Sequence, residues 1–148
     1  MSTQNSTLVF ESPLSEELQV MIVYPEAENY SMFESQFRTS GHAFLLHDLN
    51  TVVVDGKVVN EPWFTHDHLM VIQAHELGHY LAGHSKNSKA REYLEIEKEA
   101  DWLGCMLLKD KGYHDAMILH EQEYYCRYNS TPQEDSKKFE EKLVQFIK

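Results

Sequence analysis

The chain has 148 residues, enough for one hydrophobic core, so residues 1–148 are expected to form a single domain. Its formal net charge is −11, and the first 66 residues hold nine acids against Arg38 and Lys57 alone; such a field repels nucleic acid and anionic lipid. Two cysteines make no disulfide framework, and neither a basic leader nor a bilayer-length apolar run is present, so no nucleic-acid or membrane partner and a cytoplasmic location are expected.

In chain order, residues 1–7 are polar and expected to be disordered. Leu18–Tyr24 reads as a strand stopped by Pro25, although Ser15-Glu16-Glu17 would also start a helix. Asn29–Arg38 suits a short helix with Gly41 after it. His42–Leu46, Thr51–Val54 and Lys57–Val59 read as strands, with Asp55-Gly56 as a hairpin turn between the last two. Beyond Pro62, Thr65 or Asp67 caps a proline-free helix from Asp67 to His84. A polar, basic loop Ser85–Ala90 leads into a second helix, Glu92–Lys109, ending near Gly112. His114–Tyr128 reads as a third long helix. Thr131-Pro132-Gln133-Glu134 then carries a capping box for a last helix with Phe139, Leu143, Phe146 and Ile147 on its apolar face. A small antiparallel sheet followed by helices is an α+β fold.

The chemistry is concentrated on the first of the long helices. His75-Glu76-Leu77-Gly78-His79 reads H-E-x-x-H. Residues four apart share a helix face, so His75 and His79 can converge on one Zn²⁺. Glu76 flanks that face, within reach of a zinc-activated water and in the position of a general base. Met70, Val71, Ala74, Leu77, Gly78 and Leu81 form an apolar stripe on the opposite side, which makes this a central helix.

About eighteen residues later comes Glu97-Lys98-Glu99-Ala100-Asp101. Tyr93, Ile96, Ala100, Leu103 and Leu107 form the apolar seam of the second helix, and Glu97 and Asp101 sit on its edge. Carboxylates there point at a partner helix, which makes Glu97 the candidate third ligand. Glu92, Glu95 and Glu99 suit a solvated face.

Together, His75-Glu76-Leu77-Gly78-His79-Tyr80-Leu81-Ala82-Gly83-His84 and Glu97-Lys98-Glu99-Ala100-Asp101-Trp102-Leu103 resemble the gluzincin metallopeptidases, closest in look to the ImmA/IrrE type. The likeness spans roughly Asp67 to Leu108. It implies a zincin-like fold, with a small antiparallel sheet packed on the active-site helix and further helices after it. It implies His75, His79 and Glu97 as zinc ligands and Glu76 as catalytic base. Asp101 would stand behind the ligands, accepting the remaining ring N–H of His75 or His79; on that footing Asp101→Asn, which keeps an acceptor, should be mild. The implied activity is that of a zinc metalloendopeptidase acting on a protein or peptide. An extended substrate would pair with a sheet edge in the region His42–Val59.

His84 is out of register for the third histidine of the metzincin pattern, and the helix-turn-helix module carried by some ImmA/IrrE-type proteins is not evident. His120, Tyr124, Tyr125 and Tyr128 are candidates for steadying an oxyanion. Trp63, Phe64 and Trp102 read as core anchors, Cys105 as a small core residue, and Cys126 as a second buried cysteine. Two other classes stay open: a zincin-like module that binds or senses a protein partner without proteolysis, and a DNA-linked protease of SprT type. An intact Glu76 argues against the first, and the acidity of the chain argues against the second.

Overall fold

The computed structural model describes residues 7–82 and 93–137. The expectations for residues 1–6, His84, Ser85–Ala90, Glu92 and the apolar positions Phe139 to Ile147 lie outside the described residues. The protein is α+β, with one mixed four-stranded sheet and several helices. Its contacts divide it into two compact units, Met1–Leu69 and Met70–Lys148.

The first unit holds β1 (Thr7–Glu11), β2 (Gln19–Val23), α1 (Tyr30–Ser40), β3 (Ala43–Leu46), β4 (Thr51–Asp55) and α2 (Gly56–Val59). The sheet order is β1-β2-β4-β3. β1 pairs antiparallel with β2, and β3 antiparallel with β4, but β2 and β4 run parallel. The expected antiparallel sheet is therefore mixed. The cause is the path from β2 to β4, which passes through α1 and β3 and so returns in the same direction, as parallel neighbours require. Thr7, expected to be disordered, opens β1, which pairs from Thr7↔Val23 to Glu11↔Gln19. Within His42–Val59, β3 is an edge strand and β4 an inner one, buried at every position.

α1 covers one sheet face with rings: Phe37 meets Phe44 at 5.4 Å and Phe33 meets Phe44 at 5.7 Å between centroids, over Val23 and Val53. Gly41, at φ 77°, ends α1 in the left-handed conformation and donates its N–H to the Phe37 carbonyl at 2.9 Å.

The expected strand Lys57–Val59 is instead the helical turn α2, and Asp55-Gly56 is not a hairpin turn. Asp55 caps the turn, its Oδ1 accepting the Lys57 N–H at 3.0 Å. A type I′ hairpin needs positive φ at both central residues, and Gly56 has none. Gly56 is used for close approach: a Cβ there would stand 2.7 Å from Cα of Tyr24.

α3 (His66–Ala82) begins at Thr65. Thr65 Oγ1 accepts the His68 N–H at 3.4 Å, and His68 Nδ1 accepts the Thr65 N–H at 3.1 Å. This is a capping box with histidine in the place of the usual Glu or Gln. His68 is thereby buried and stacked on Phe64. Trp63 is 55% exposed rather than a core anchor.

The second unit holds most of α3, then α4 (Tyr93–Asp110), α5 (His114–Glu123) and a 3-10 turn at Tyr125–Tyr128. The expected third long helix breaks at Tyr124. Tyr125 is buried with its hydroxyl donating to Asp135 at 2.5 Å, and the tighter turn brings Arg127 and Tyr128 onto Asp101. Those tertiary bonds override a helical pattern that contains no breaker. The expected capping box forms: Thr131 and Glu134 exchange backbone-to-side-chain bonds at 3.1 and 3.2 Å, opening a helical stretch at 132–137. Trp102 is a buried anchor, its indole N–H shared between the Pro132 carbonyl and Ser136 Oγ. Cys105 is buried as expected, but Cys126 is exposed. Among the described residues no helix is long and apolar enough to cross a membrane.

α3 and α4 cross on small residues. A Cβ on Gly78 would collide with the Ala100 carbonyl and stand 3.1 Å from its carbon. A Cβ on Gly104 would stand 2.9 Å from the Ala74 carbonyl oxygen. Gly78→Ala should therefore force the two backbones apart. The expected cost is about 1–3 kcal/mol, the usual range for overpacking a tight interior, read as a lowered melting midpoint. Wild-type stability in that variant would mean that the crossing relaxes freely.

Candidate metal centre

His75 and His79 emerge from α3 one turn apart, and Glu97 and Asp101 from α4 one turn apart. Each imidazole has one carboxylate at hydrogen-bond distance. His79 Nε2 lies 2.7 Å from Glu97 Oε2, and His75 Nδ1 lies 2.6 Å from Asp101 Oδ1. The pairs run His75 with Asp101, then His79 with Glu97: one turn forward on α3, one turn back on α4. Ala74 with Gly104 and Gly78 with Ala100 step the same way, so one antiparallel register sets both the packing and the polar pairs.

The two Nε2 atoms are 3.1 Å apart, and His75 Nε2 is 3.5 Å from Glu97 Oε1. Four ligands at ~2.0–2.1 Å around tetrahedral Zn²⁺ stand roughly 3.3 Å from one another. The two imidazole nitrogens are spaced for one metal ion, the Glu97 carboxylate reaches one with each of its oxygens, and two imidazoles with a carboxylate are a donor set that suits zinc. Donor atoms of His75, Glu76 and His79 also lie within 4.8 Å of one another, so Glu76 competes for the third position. Glu76 Oε2 stays 3.9 Å from His75 Nε2, however, while Glu97 approaches both imidazoles more closely. Both carboxylates therefore stand within reach of the imidazole pair, Glu97 at the shorter distances.

Asp101 is the centre of the polar network. It is fully buried, and its Oδ1 faces His75 Nδ1 and also His120 Nε2 at 3.2 Å. Its Oδ2 accepts from the Arg127 guanidinium at 2.6 Å and from the Tyr128 hydroxyl. With the proton of His75 on Nδ1, bound to Asp101, its Nε2 lone pair is directed at the donor cluster.

The electrostatics follow from burial and proximity. Burial alone would push the His75 pKa down, but Asp101, Glu97 and Glu76 outweigh it and hold it well above the ordinary imidazole value. Burial would raise Glu97 and Asp101, yet the imidazoles facing them, including His120 for Asp101, hold both well below the usual carboxylate range. Glu76 goes the other way: burial raises it, and the nearby histidines only partly compensate. A carboxyl raised above its neighbours in a site of ionised carboxylates has the character of a proton acceptor.

Of the oxyanion candidates, His120 is fully buried on Asp101, Tyr125 is buried with its hydroxyl on Asp135, and the Tyr128 hydroxyl is bound to Asp101. Tyr124 stacks on His120 at 5.8 Å. Glu99, expected on a solvated face, is buried. Cys105 is buried, and burial and then Glu121 push its thiol up to about 12.

Arg127 was not singled out from the sequence. Its only signal there is that it is the one Lys or Arg between Lys111 and Lys137.

The donor count argues for a stronger effect of Asp101→Asn than the mild one expected. Four donors face Asp101, and an amide offers one acceptor oxygen while placing an NH₂ against two of them. Asp101→Asn should be clearly impaired. Asp101→Ala, which leaves a guanidinium and two imidazoles without their buried partner, should lose roughly 3–5 kcal/mol by denaturant titration. A wild-type midpoint in both variants would show that the network carries no stability.

No protein-family model matches the chain, and no curated protein or solved structure is significantly similar to it.

Proposed function

We propose that this protein is a zinc-dependent metallopeptidase, zincin-like in fold, that hydrolyses peptide bonds with Glu76 as general base. The observation that carries this is the convergence of His75 Nε2, His79 Nε2 and the Glu97 carboxylate at separations of 3.1, 3.5 and 2.7 Å, with Glu76 beside them. A structural zinc site closes all four positions with protein ligands. Three donors and an adjacent carboxylate suit an open, hydrolytic one. The order of the chain, a sheet-bearing stretch followed by the H-E-x-x-H helix and the Glu97–Asp101 helix, supports the same assignment.

Zinc supplies Lewis acidity there, acidifying water and polarising a carbonyl oxygen. The chain does the rest. Glu76, raised by burial, takes the proton of the attacking water and returns it to the leaving amine. Glu97, ionised at neutral pH, offers its carboxylate together with both imidazoles. Asp101 fixes the ring of His75 through Nδ1, and His120, Arg127 and Tyr128 fix Asp101 in turn. The substrate is a protein or peptide rather than a nucleic acid, in keeping with a net charge of −11.

Elemental analysis should find one zinc per chain, and Glu97→Ala should lose it. Full occupancy in that variant would remove Glu97 from the ligand set. In the same preparation Asp101→Ala should hold zinc roughly 10–100-fold more weakly.

Glu76→Gln should keep its zinc and its fold while peptide-library cleavage falls by about 10²–10⁴-fold, since an amide accepts no proton. Cleavage at the wild-type rate by Glu76→Gln would sink the mechanism. A wild type that binds zinc yet leaves every peptide intact would transfer the site to the protein-binding class.

A further inference from the structure

The first unit contains a half-open cavity of about 630 Å³. That volume lies within the ~300–1,000 Å³ of small-molecule sites. Tyr30 and Phe37 of α1, Asp55 at the end of β4, Val58 of α2, and His42 and Trp63 line it. None belongs to the H-E-x-x-H cluster.

Three observations mark it as more than a surface irregularity. The first is Asp55, 6% exposed. Its Oδ1 is occupied, accepting the Tyr30 hydroxyl and the Lys57 N–H, each at 3.0 Å. Its Oδ2 has no partner among the described residues. Nor is Oδ2 sealed away: among the described residues, the buried side-chain polar atom lacking both partner and solvent is Nδ1 of His120. A buried carboxylate on the wall of a cavity favours a donor, and a charged donor is the strongest.

The second is His42, a non-glycine residue at φ 104°. That strained conformation is held from both sides: its N–H donates to the Phe37 carbonyl at 3.2 Å, and its carbonyl accepts the Asp55 N–H at 2.8 Å. Backbone strain that the fold holds in place clusters at binding sites. The third is Trp63, a large ring left 55% exposed on the cavity wall. Indole, phenol and phenyl walls suit an apolar body and also attract a cation.

The remaining charged groups of the lining decide the sign. Arg38 is spent on Glu34, 3.5 Å away. That leaves Asp55 and Glu61 against Lys57, and the one buried member of the three is the Asp55 carboxylate. An anion would meet Asp55 unpaired.

We propose that this cavity binds a small organic ammonium ligand, its cationic nitrogen on Asp55 Oδ2 and its apolar body against Phe37, Val58 and Trp63. The assignment is independent of the zinc site.

The test is titration of the isotope-labelled full chain with phenethylamine, followed by NMR. Saturable shifts are expected at Tyr30, His42, Asp55 and Trp63, with the millimolar affinity usual for a ligand of that size. 3-Phenylpropionate, with the same ring and the opposite charge, should bind at least about tenfold more weakly. Asp55→Asn keeps an acceptor for Tyr30 and Lys57 but removes the charge, and should weaken phenethylamine by at least about tenfold. Trp63→Ala changes an exposed ring and should weaken it several-fold with the fold intact, which keeps the test alive if Asp55→Asn does not fold. Absence of saturation by phenethylamine would overturn the proposal. So would equal affinity for 3-phenylpropionate, or undiminished binding in the folded variants.

Discussion

The close crossing of α3 and α4 is the constraint on which the rest of the second unit depends. It exists because residues 78 and 104 carry no side chain where the opposite backbone passes. Any larger residue would move the helices apart, and polar contacts of 2.6 and 2.7 Å between His75 and Asp101 and between His79 and Glu97 would open with them. Gly78 lies within H-E-L-G-H itself, so the residue that admits the second helix is part of the motif that supplies the imidazoles. Packing and chemistry share one register.

A buried carboxylate is costly unless its lone pairs are filled, and Asp101 is an instance of the condition being met. Donors from three elements converge on it: His75 from α3, His120 from α5, and Arg127 and Tyr128 from the 3-10 turn. A side chain held from three directions has little freedom to turn. His75, bound to it through Nδ1, inherits that rigidity. The break of the helix at Tyr124 therefore has a positional consequence, because a continuous helix to Tyr128 would carry Arg127 and Tyr128 along a different path.

Much of this was legible in the sequence, for reasons that can be named. His75, His79, Glu97 and Asp101 were readable because i, i+4 spacing on a proline-free segment fixes a shared face, and two such faces next to apolar seams must meet. Which carboxylate meets which imidazole was not readable, since that needs the direction and register of the crossing. β2, α1, β3 and β4 followed from alternation and from Gly41. The parallel pairing of β2 with β4 did not, because strand patterns carry no information on direction. Asp55-Gly56 misled because the same dipeptide serves a hairpin turn and a helix cap, and only the neighbouring Tyr24 backbone separates the two uses. Arg127 is not legible in the sequence because a single cation has no periodicity, and its position arises from a turn that nothing in the local sequence announces.

Charge accounting connects these parts to the proposed chemistry. With the imidazoles neutral, Glu76, Glu97 and Asp101 face Arg127 as their cation among the described residues, so these four groups carry three negative charges against one positive. Low dielectric makes that imbalance costly. That imbalance favours the proton on His75, whose pKa is held well above the ordinary value, and raises Glu76 as well. A dication placed among His75 Nε2, His79 Nε2 and Glu97 would cancel the same deficit without a proton and would return His75 to the neutral form that a ligand requires. The acidity of the cluster and the closeness of its donors are both compatible with the dication proposed above.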